Sequence, residues 1–224
     1  MGAFVVSAVR RLSGAALAVL LACGAPGAAV AQAASISGRL EMAGGGTCGA
    51  TFVAPSVVAT AAHCLPGDGA AFRFRMPRAA ALEVRETLRH PAFALTRNPR
   101  QRTRFDVALV RLEGGRSEEP GGPFVPLGPP ARVGEVLTLE TWRRDEGSFP
   151  RRRACTVLER GAEQVVLDCA VAAGHSGAPV LREGSDGAEL VAIVTSRLNV
   201  AGQGAALATD ARVRVKVLLD LMAR

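Results

Sequence analysis

The hydrophobic residues of this chain fall into short runs separated by breaker residues. β-branched and other apolar side chains cluster over a few positions at a time, with Gly, Pro and Asp between the clusters, a pattern typical of β-strands. Helical periodicity is rare outside the two ends. The sequence therefore predicts an all-β body, with strands at 47–53, 57–60, 72–76, 82–88, 107–112, 136–142, 155–158, 165–169, 179–181, 190–195 and 205–208.

A stretch rich in Gly and Pro divides these predicted strands into two sets. It contains Gly114-Gly115, Gly121-Gly122 and Pro129-Pro130, and such a density of breakers is typical of a linker. We assign residues 34–115 to a first β-barrel, 116–130 to the linker and 131–224 to a second β-barrel. Two sets of short strands about a linker favour two barrels over one sheet.

The last residues of the chain have a different periodicity. Apolar side chains recur at helical spacing between Ala211 and Arg224, and Asp210 is a suitable N-cap. The pattern predicts a C-terminal helix whose apolar face packs on the second barrel, the face being formed by Val213, Val217, Leu218, Leu221 and Met222.

The N-terminal residues have the composition of an export signal. Arg10 and Arg11 precede an apolar run at 12–22, which is too short to span a bilayer. Small residues follow and fit the small-x-small cleavage rule, so residues 1–33 are predicted as a signal peptide of a secreted or periplasmic protein. An alternative is a lipoprotein, in which Cys23 would become a lipidated N-terminus.

The cysteine count agrees with export. Of five cysteines, removal of Cys23 with the signal leaves Cys48, Cys64, Cys155 and Cys169, and an even number in an oxidising compartment indicates two disulfides. Three connectivities are open, of which the sequence-local pairs 48–64 and 155–169 are the simplest. The spacing is not that of a metal site, so we expect no metal and no cofactor.

The net charge of +7 raises the alternative of nucleic-acid binding. Arginines cluster at 97–104 and 143–153, but aromatic residues are not interleaved with them. We therefore interpret both clusters as solvated surface loops and expect no nucleic-acid partner. The expected partner is a protein or peptide substrate, bound by a monomer.

Three fragments carry candidate chemistry. His63 lies beside Cys64, Asp106 begins an apolar strand, and Ser176 is flanked by Gly174 and Gly177. These are a base, an orienting acid and a nucleophile for acyl transfer, and glycines beside the serine allow backbone N–H groups to face an oxyanion. Because no histidine follows Ser176, an α/β-hydrolase is excluded.

These fragments resemble those of the chymotrypsin-like (trypsin-like) serine proteases, especially the small bacterial secreted members. The similarity lies in Cys48-Gly49-Ala50 with Ala61-Ala62-His63-Cys64, in 105–109, and in 174–179. It implies two antiparallel six-stranded β-barrels with the site between them and a disulfide matching Cys48–Cys64. It also implies His63 as general base, Asp106 as its orienting partner, Ser176 as nucleophile, and Gly174 and Ser176 N–H as the oxyanion hole.

Two departures from this family affect activation and specificity. The family's digestive members have an aspartate before the serine, which binds a newly cut N-terminus; here His175 replaces it, so we expect no activation of that kind. In trypsin the pocket aspartate corresponds to Ala170, and the family's Ser-Trp-Gly wall corresponds to Thr195, Ser196 and Arg197. This argues against cleavage after Lys or Arg and favours a small or apolar residue, with an acidic preference through Arg197 as the alternative.

The sequence thus predicts a secreted or periplasmic serine endopeptidase that acts through an acyl-enzyme. The alternative is a protease-like binding protein without catalytic activity. Such relatives usually lack a member of the triad, whereas this chain has all three residues.

Overall fold

The structure is a computed structural model, and it describes residues 36–65, 67, 71–113 and 124–224. The predicted signal peptide at 1–33, including Cys23, lies outside the described residues. Most of the predicted linker also lies outside them, and only 124–130 of it is described.

The first set of strands closes into an antiparallel barrel. Its six strands are neighbours in the order β1-β2-β3-β6-β5-β4. Their interior is filled by Leu40, Phe52, Val58, Phe74 and Val110, and the rings of Phe52 and Phe74 pack edge to face at 5.3 Å. The strands are β1 (Ser37–Met42), β2 (Thr47–Ala54), β3 (Val57–Thr60), β4 (Phe72–Arg75), β5 (Leu82–Arg89) and β6 (Ala108–Leu112).

The second set closes into another antiparallel six-stranded barrel, in the order β10-β11-β12-β9-β8-β7. Its interior contains Leu137, Leu139, Val157, Leu167 and Val180. The predicted fold class, two antiparallel six-stranded barrels with a C-terminal helix, is confirmed. The strands are β7 (Val136–Thr141), β8 (Arg151–Arg160), β9 (Gln164–Leu167), β10 (Pro179–Gly184), β11 (Gly187–Val200) and β12 (Gln203–Asp210).

Both predicted sequence-local disulfides are present. Cys48 is bonded to Cys64 and Cys155 to Cys169. The first joins the start of β2 to the segment that follows β3, and the second joins β8 to the residues after β9. Each disulfide therefore fixes the end of one strand against a neighbouring strand of the same barrel.

The helices lie between strands β5 and β6 and at the C-terminus. Two short helices, α1 (Pro91–Leu95) and α2 (Pro99–Arg102), occupy the β5–β6 connection, and α3 (Ala211–Met222) ends the fold. No described helix has the length and apolar character needed to cross a bilayer.

Helix α3 confirms the predicted N-cap but corrects its predicted apolar face. The Asp210 carboxylate accepts a hydrogen bond from the Arg212 N–H at 3.1 Å. Val213 and Val217 are 60% and 39% exposed, because the inward face is formed instead by Ala211, Val215, Leu218 and Met222. This face belongs to a core cluster shared with β6 and β11, so the helix packs on both barrels rather than on the second alone.

Further contacts join the two barrels. The Gln164 side-chain amide donates to the Thr103 hydroxyl at 2.9 Å, and the Thr209 hydroxyl donates to the Thr103 carbonyl at 2.6 Å. The Ser37 hydroxyl also contacts the Glu140 carboxylate. Residues from both barrels thus contribute to one compact unit that spans 34–224.

Candidate active site

His63 follows strand β3, and a disulfide at the next residue, Cys64, fixes the backbone there. A single 3-10 turn, Ala62–Cys64, follows β3 and carries the imidazole. Both neighbours of His63 are buried, and Cys64 is disulfide-bonded to Cys48. The His63 side chain itself is 39% exposed, so a fixed backbone presents a ring that solvent can reach.

Asp106, the predicted orienting partner, lies against His63. Asp106 is 3% exposed and precedes β6. One carboxylate oxygen accepts the backbone N–H of His63 at 2.9 Å, and the other lies 2.7 Å from its Nδ1. Because a carboxylate can only accept, Nδ1 carries the proton and Nε2 has a free lone pair. Nε2 lies 3.9 Å from Cys64 Sγ, and this sulfur is in a disulfide, so it has no proton to donate to Nε2.

Ser176 lies in a tight turn between β9 and β10. Gly174 and Gly177 on either side have φ of 94° and 78°, values that L side chains rarely adopt. A Cβ at Gly177 would lie 2.3 Å from Thr60 Oγ1 and 2.2 Å from the Gly49 carbonyl oxygen. The serine turn is therefore packed against β2 and the end of β3, shortly before His63.

Between Gly174 and Gly177, the hydrogen bonds of this turn leave two amides without an acceptor. His175 N donates to the Ala172 carbonyl at 3.0 Å, and Gly177 N donates to the Val194 carbonyl at 2.7 Å. Within the described part of the chain, the N–H groups of Gly174 and Ser176 make no hydrogen bond. These are the two amides that the sequence predicted as an oxyanion hole.

A cavity of about 360 Å³ opens beside the serine. Of the predicted specificity residues, Ser196 and Arg197 line this cavity, whereas Ala170 and Thr195 lie outside its lining. Thr195 is buried and donates to the Leu207 carbonyl at 3.3 Å. The full lining is Val171, Ala172, Ala173, Ser176, Val194, Ser196 and Arg197.

Comparison with known proteins identifies the family. A family model described as trypsin-like peptidase domain matches residues 46–193. The chain belongs to this family. A search of curated proteins found no matching relative.

A solved structure of similar fold is neuropsin, a serine protease expressed in the limbic system of mouse brain. Its TM-score is 0.68 at 16% identity, over 84% of this chain and 94% of that one. At this identity the likeness concerns the fold of the trypsin-like domain alone.

The trypsin-like domain also contains an acidic residue beside the serine turn that sequence reasoning missed. Glu146, in the β7–β8 loop, lies 2.9 Å from the Nε2 of His175. No local pattern identifies such a contact, because the two residues are distant in sequence and Glu146 lies in a loop of mixed charge. Its partner His175 is distinctive in the sequence only because it replaces the aspartate of the family's digestive members.

Two groups of side chains have the proximity of metal ligands but not the chemistry. Cys48, His63 and Cys64 form one group, and Cys155, Asp168 and Cys169 form the other. In both groups the cysteines are joined in disulfides, so neither offers the thiolate that a metal requires. Asp168 accepts the Thr156 N–H at 2.7 Å and is already engaged there.

Proposed function

We propose that this trypsin-like domain is a serine endopeptidase that hydrolyses peptide bonds through an acyl-enzyme at Ser176. The observation that carries the proposal is the 2.7 Å contact between His63 Nδ1 and the buried Asp106 carboxylate. It defines the tautomer of the imidazole and leaves Nε2 free to accept a proton. The packing of the Ser176 turn against Thr60 supports a nucleophile close to this base.

The proposed reaction has two halves. Ser176 Oγ attacks the carbonyl carbon while His63 Nε2 takes its proton, and the N–H groups of Gly174 and Ser176 stabilise the oxyanion. His63 then gives the proton to the leaving amine, and the peptide bond breaks to leave an ester on Ser176. A water molecule attacks this ester by the same route, which releases the acid and restores Ser176. Throughout, Asp106 stabilises the imidazolium that forms.

We propose that the cavity beside Ser176 binds the residue that precedes the cut. Val171, Ala172, Ala173 and Val194 give it apolar walls. A small or apolar side chain would bury its surface there, at about 25 cal/mol per Å². A lysine or arginine would instead meet the guanidinium of Arg197 with like charge.

We also propose that the protein is exported to the periplasm or the cell exterior. Two disulfides are typical of an oxidising compartment, and the predicted signal at 1–33 would direct the chain there. Mass mapping of the secreted protein tests this proposal. A first residue near Gln32 or Ala34 is expected, whereas a lipid-modified Cys23 would indicate the alternative anchor.

Labelling and hydrolysis test the catalytic proposal. A fluorophosphonate should label the wild-type protein, and the same protein should hydrolyse a mixed peptide library. Ser176→Ala should abolish both. Ser185→Ala is the matched control, because Ser185 is an exposed serine in the β10–β11 turn and its loss should change neither. An unlabelled, inactive wild type would instead favour the protease-like binding protein.

A further inference from the structure

His175, directly before the proposed nucleophile, is buried and bonded back onto its own turn. It is 6% exposed. Its backbone N–H donates to the Ala172 carbonyl at 3.0 Å, and its Nδ1 accepts the Ala172 N–H at 3.2 Å. These two hydrogen bonds close the segment from Ala172 to His175, which contains Gly174 and leads into Ser176.

The second ring nitrogen of His175 contacts a carboxylate. Because Nδ1 accepts a hydrogen bond, the proton of the neutral ring is on Nε2, which donates to Glu146 Oε1 at 2.9 Å. Glu146 Oε2 accepts the Arg143 N–H at 2.9 Å. Burial alone would raise the pKa of Glu146, but the Arg143 amide and His175 outweigh it and lower this pKa. Glu146 is therefore ionised at neutral pH.

The loop that carries Glu146 is itself anchored. Trp142 Nε1 donates to the Gly147 carbonyl at 2.9 Å, which closes the loop. The guanidinium of Arg39, in β1, lies 4.4 Å from the centroid of the Trp142 ring and donates to the Arg143 carbonyl at 3.3 Å. A chain of contacts therefore runs from the first barrel to the Glu146 carboxylate.

The same loop packs directly on the serine turn. A Cβ added at Gly174 would lie 3.1 Å from Arg143 Cγ and 3.0 Å from Thr47 Oγ1. The turn is thus packed against both the β7–β8 loop and the start of β2. The position of the serine turn therefore depends on the contacts that fix the β7–β8 loop.

We propose that Glu146, through His175, is a positioning residue that keeps the turn carrying the Gly174 and Ser176 amides formed. This inference rests on the proposed hydrolysis at Ser176. A half-buried acid and a buried imidazole within the folded chain would then do what a newly cut N-terminus does for the family's digestive members. The oxyanion hole would be formed in the protein without any proteolytic activation.

The first test removes the negative charge of Glu146. The glutamine of Glu146→Gln has one oxygen and one NH2 group where the carboxylate has two oxygens. It therefore cannot accept hydrogen bonds from both His175 and Arg143, and the turn loses one of these contacts. We expect kcat for peptide hydrolysis to fall about 10- to 100-fold, approaching the loss of an oxyanion donor, with KM changed less than about 3-fold. Affinity for a peptide aldehyde, which forms a tetrahedral oxyanion, should fall in parallel with kcat.

Glu135→Gln is the matched control for this substitution. Glu135 has a similar local arrangement, since Oε2 accepts the N–H of Arg132 and a basic side chain, Arg182, donates to both of its oxygens. Both variants should lose similar thermal stability, but Glu135→Gln should keep wild-type kcat. Equal kcat in the two variants would overturn the proposal.

The second test separates the two contacts of the imidazole. The amide nitrogen of His175→Gln can reach the position of Nε2 and keep the Glu146 contact. The amide oxygen of His175→Asn can replace Nδ1 toward Ala172 but cannot reach Glu146. We expect His175→Gln to retain more kcat than His175→Asn, and the reverse order would overturn the role of Glu146. A wild-type protein without hydrolysis or labelling would instead refute the proposed function itself.

Discussion

At the scale of single residues, Arg197 determines the charge of the cavity beside Ser176. It is exposed on β11, and no described carboxylate forms an ion pair with it. A substrate cation entering the cavity would be repelled by about 1 kcal/mol at 4 Å in water and by more where water is displaced. We therefore expect peptides with Lys or Arg before the cut to be hydrolysed at least about 5-fold less efficiently than peptides with Ala or Val.

The Arg197→Ala variant should reduce this difference, measured as kcat/KM across a library varied at that one position. Arg212→Ala is the control, because it removes the same charge from the exposed face of α3 and should leave the preference unchanged. Efficient cleavage after Lys or Arg by the wild type would contradict the interpretation. Preferred cleavage after Glu or Asp would mean that the guanidinium pairs with the substrate.

The sequence was informative about residues where chemistry restricts the choice of side chain. His63 and Asp106 lie within hydrogen-bond distance of each other; the sequence indicated this pair only when the fragments of His63, Asp106 and Ser176 were considered together. Glu146 could not be found in this way, because an acid in a charged loop becomes distinctive only through its contact with buried His175. The cavity lining likewise depends on how the segment between β9 and β10 approaches strand β11, which no local sequence pattern indicates.

At the scale of elements, helix α3 depends on the cap at Asp210. Asp210→Ala should cost about 1 kcal/mol of unfolding free energy, because the Arg212 N–H loses its acceptor. Asp210→Asn should keep this bond. Urea denaturation at neutral pH measures both, and equal stability of the Ala and Asn variants would show that the cap contributes nothing.

The difference in stability between Asp210→Asn and the wild type should change with pH in one direction. Burial raises the pKa of Asp210 despite the opposing amide and arginines, so the folded state binds its proton more tightly than the unfolded chain. The carboxyl's contribution to stability is present below its unfolded pKa and is lost as the pH rises through the folded value. Asp210→Asn should therefore gain stability relative to the wild type as the pH rises from about 3 to 7.

Elements with an apolar repeat were predicted best. The predicted strands lie at or within those observed, apart from one or two residues at their ends. Strand β1, SGRLEM, was missed because it contains few apolar residues; its register comes from pairing with β2 and β4. The predicted apolar face of α3 was wrong in part because the helix packs on both barrels, and the sequence does not show where the two barrels lie around it.

At the scale of the whole molecule, two disulfides add stability to barrels that are otherwise held by buried apolar side chains. They close segments with sequence separations of 16 and 14. Replacing either pair by serines should cost about 3 kcal/mol in the chain-entropy model, measured by denaturant unfolding. Only the Cys48/Cys64 double variant should also reduce hydrolysis, because Cys64 adjoins His63. Equal activity of the two variants would contradict that distinction.

Acid stability of the folded molecule depends on carboxylates held by arginines. The Arg182 side chain lowers the pKa of Glu135 despite its burial. Contacts with Arg75 and Arg39 likewise outweigh the burial of Glu41 and lower its pKa. A depressed folded pKa contributes stability that is present above the unfolded value, about 4.3, and is lost as the pH falls through the folded one.

We therefore expect the unfolding free energy to decline steadily below about pH 4.5, with Glu135→Gln declining less steeply than the wild type. The physical reason is that the variant has no carboxylate at this position to be protonated, so its unfolded chain takes up one proton fewer. Urea unfolding between about pH 3 and 7 measures both slopes. Parallel slopes would mean that the Arg182 contact is too solvated to contribute, and the acid sensitivity would then come from other carboxylates with a lowered pKa, such as Glu41.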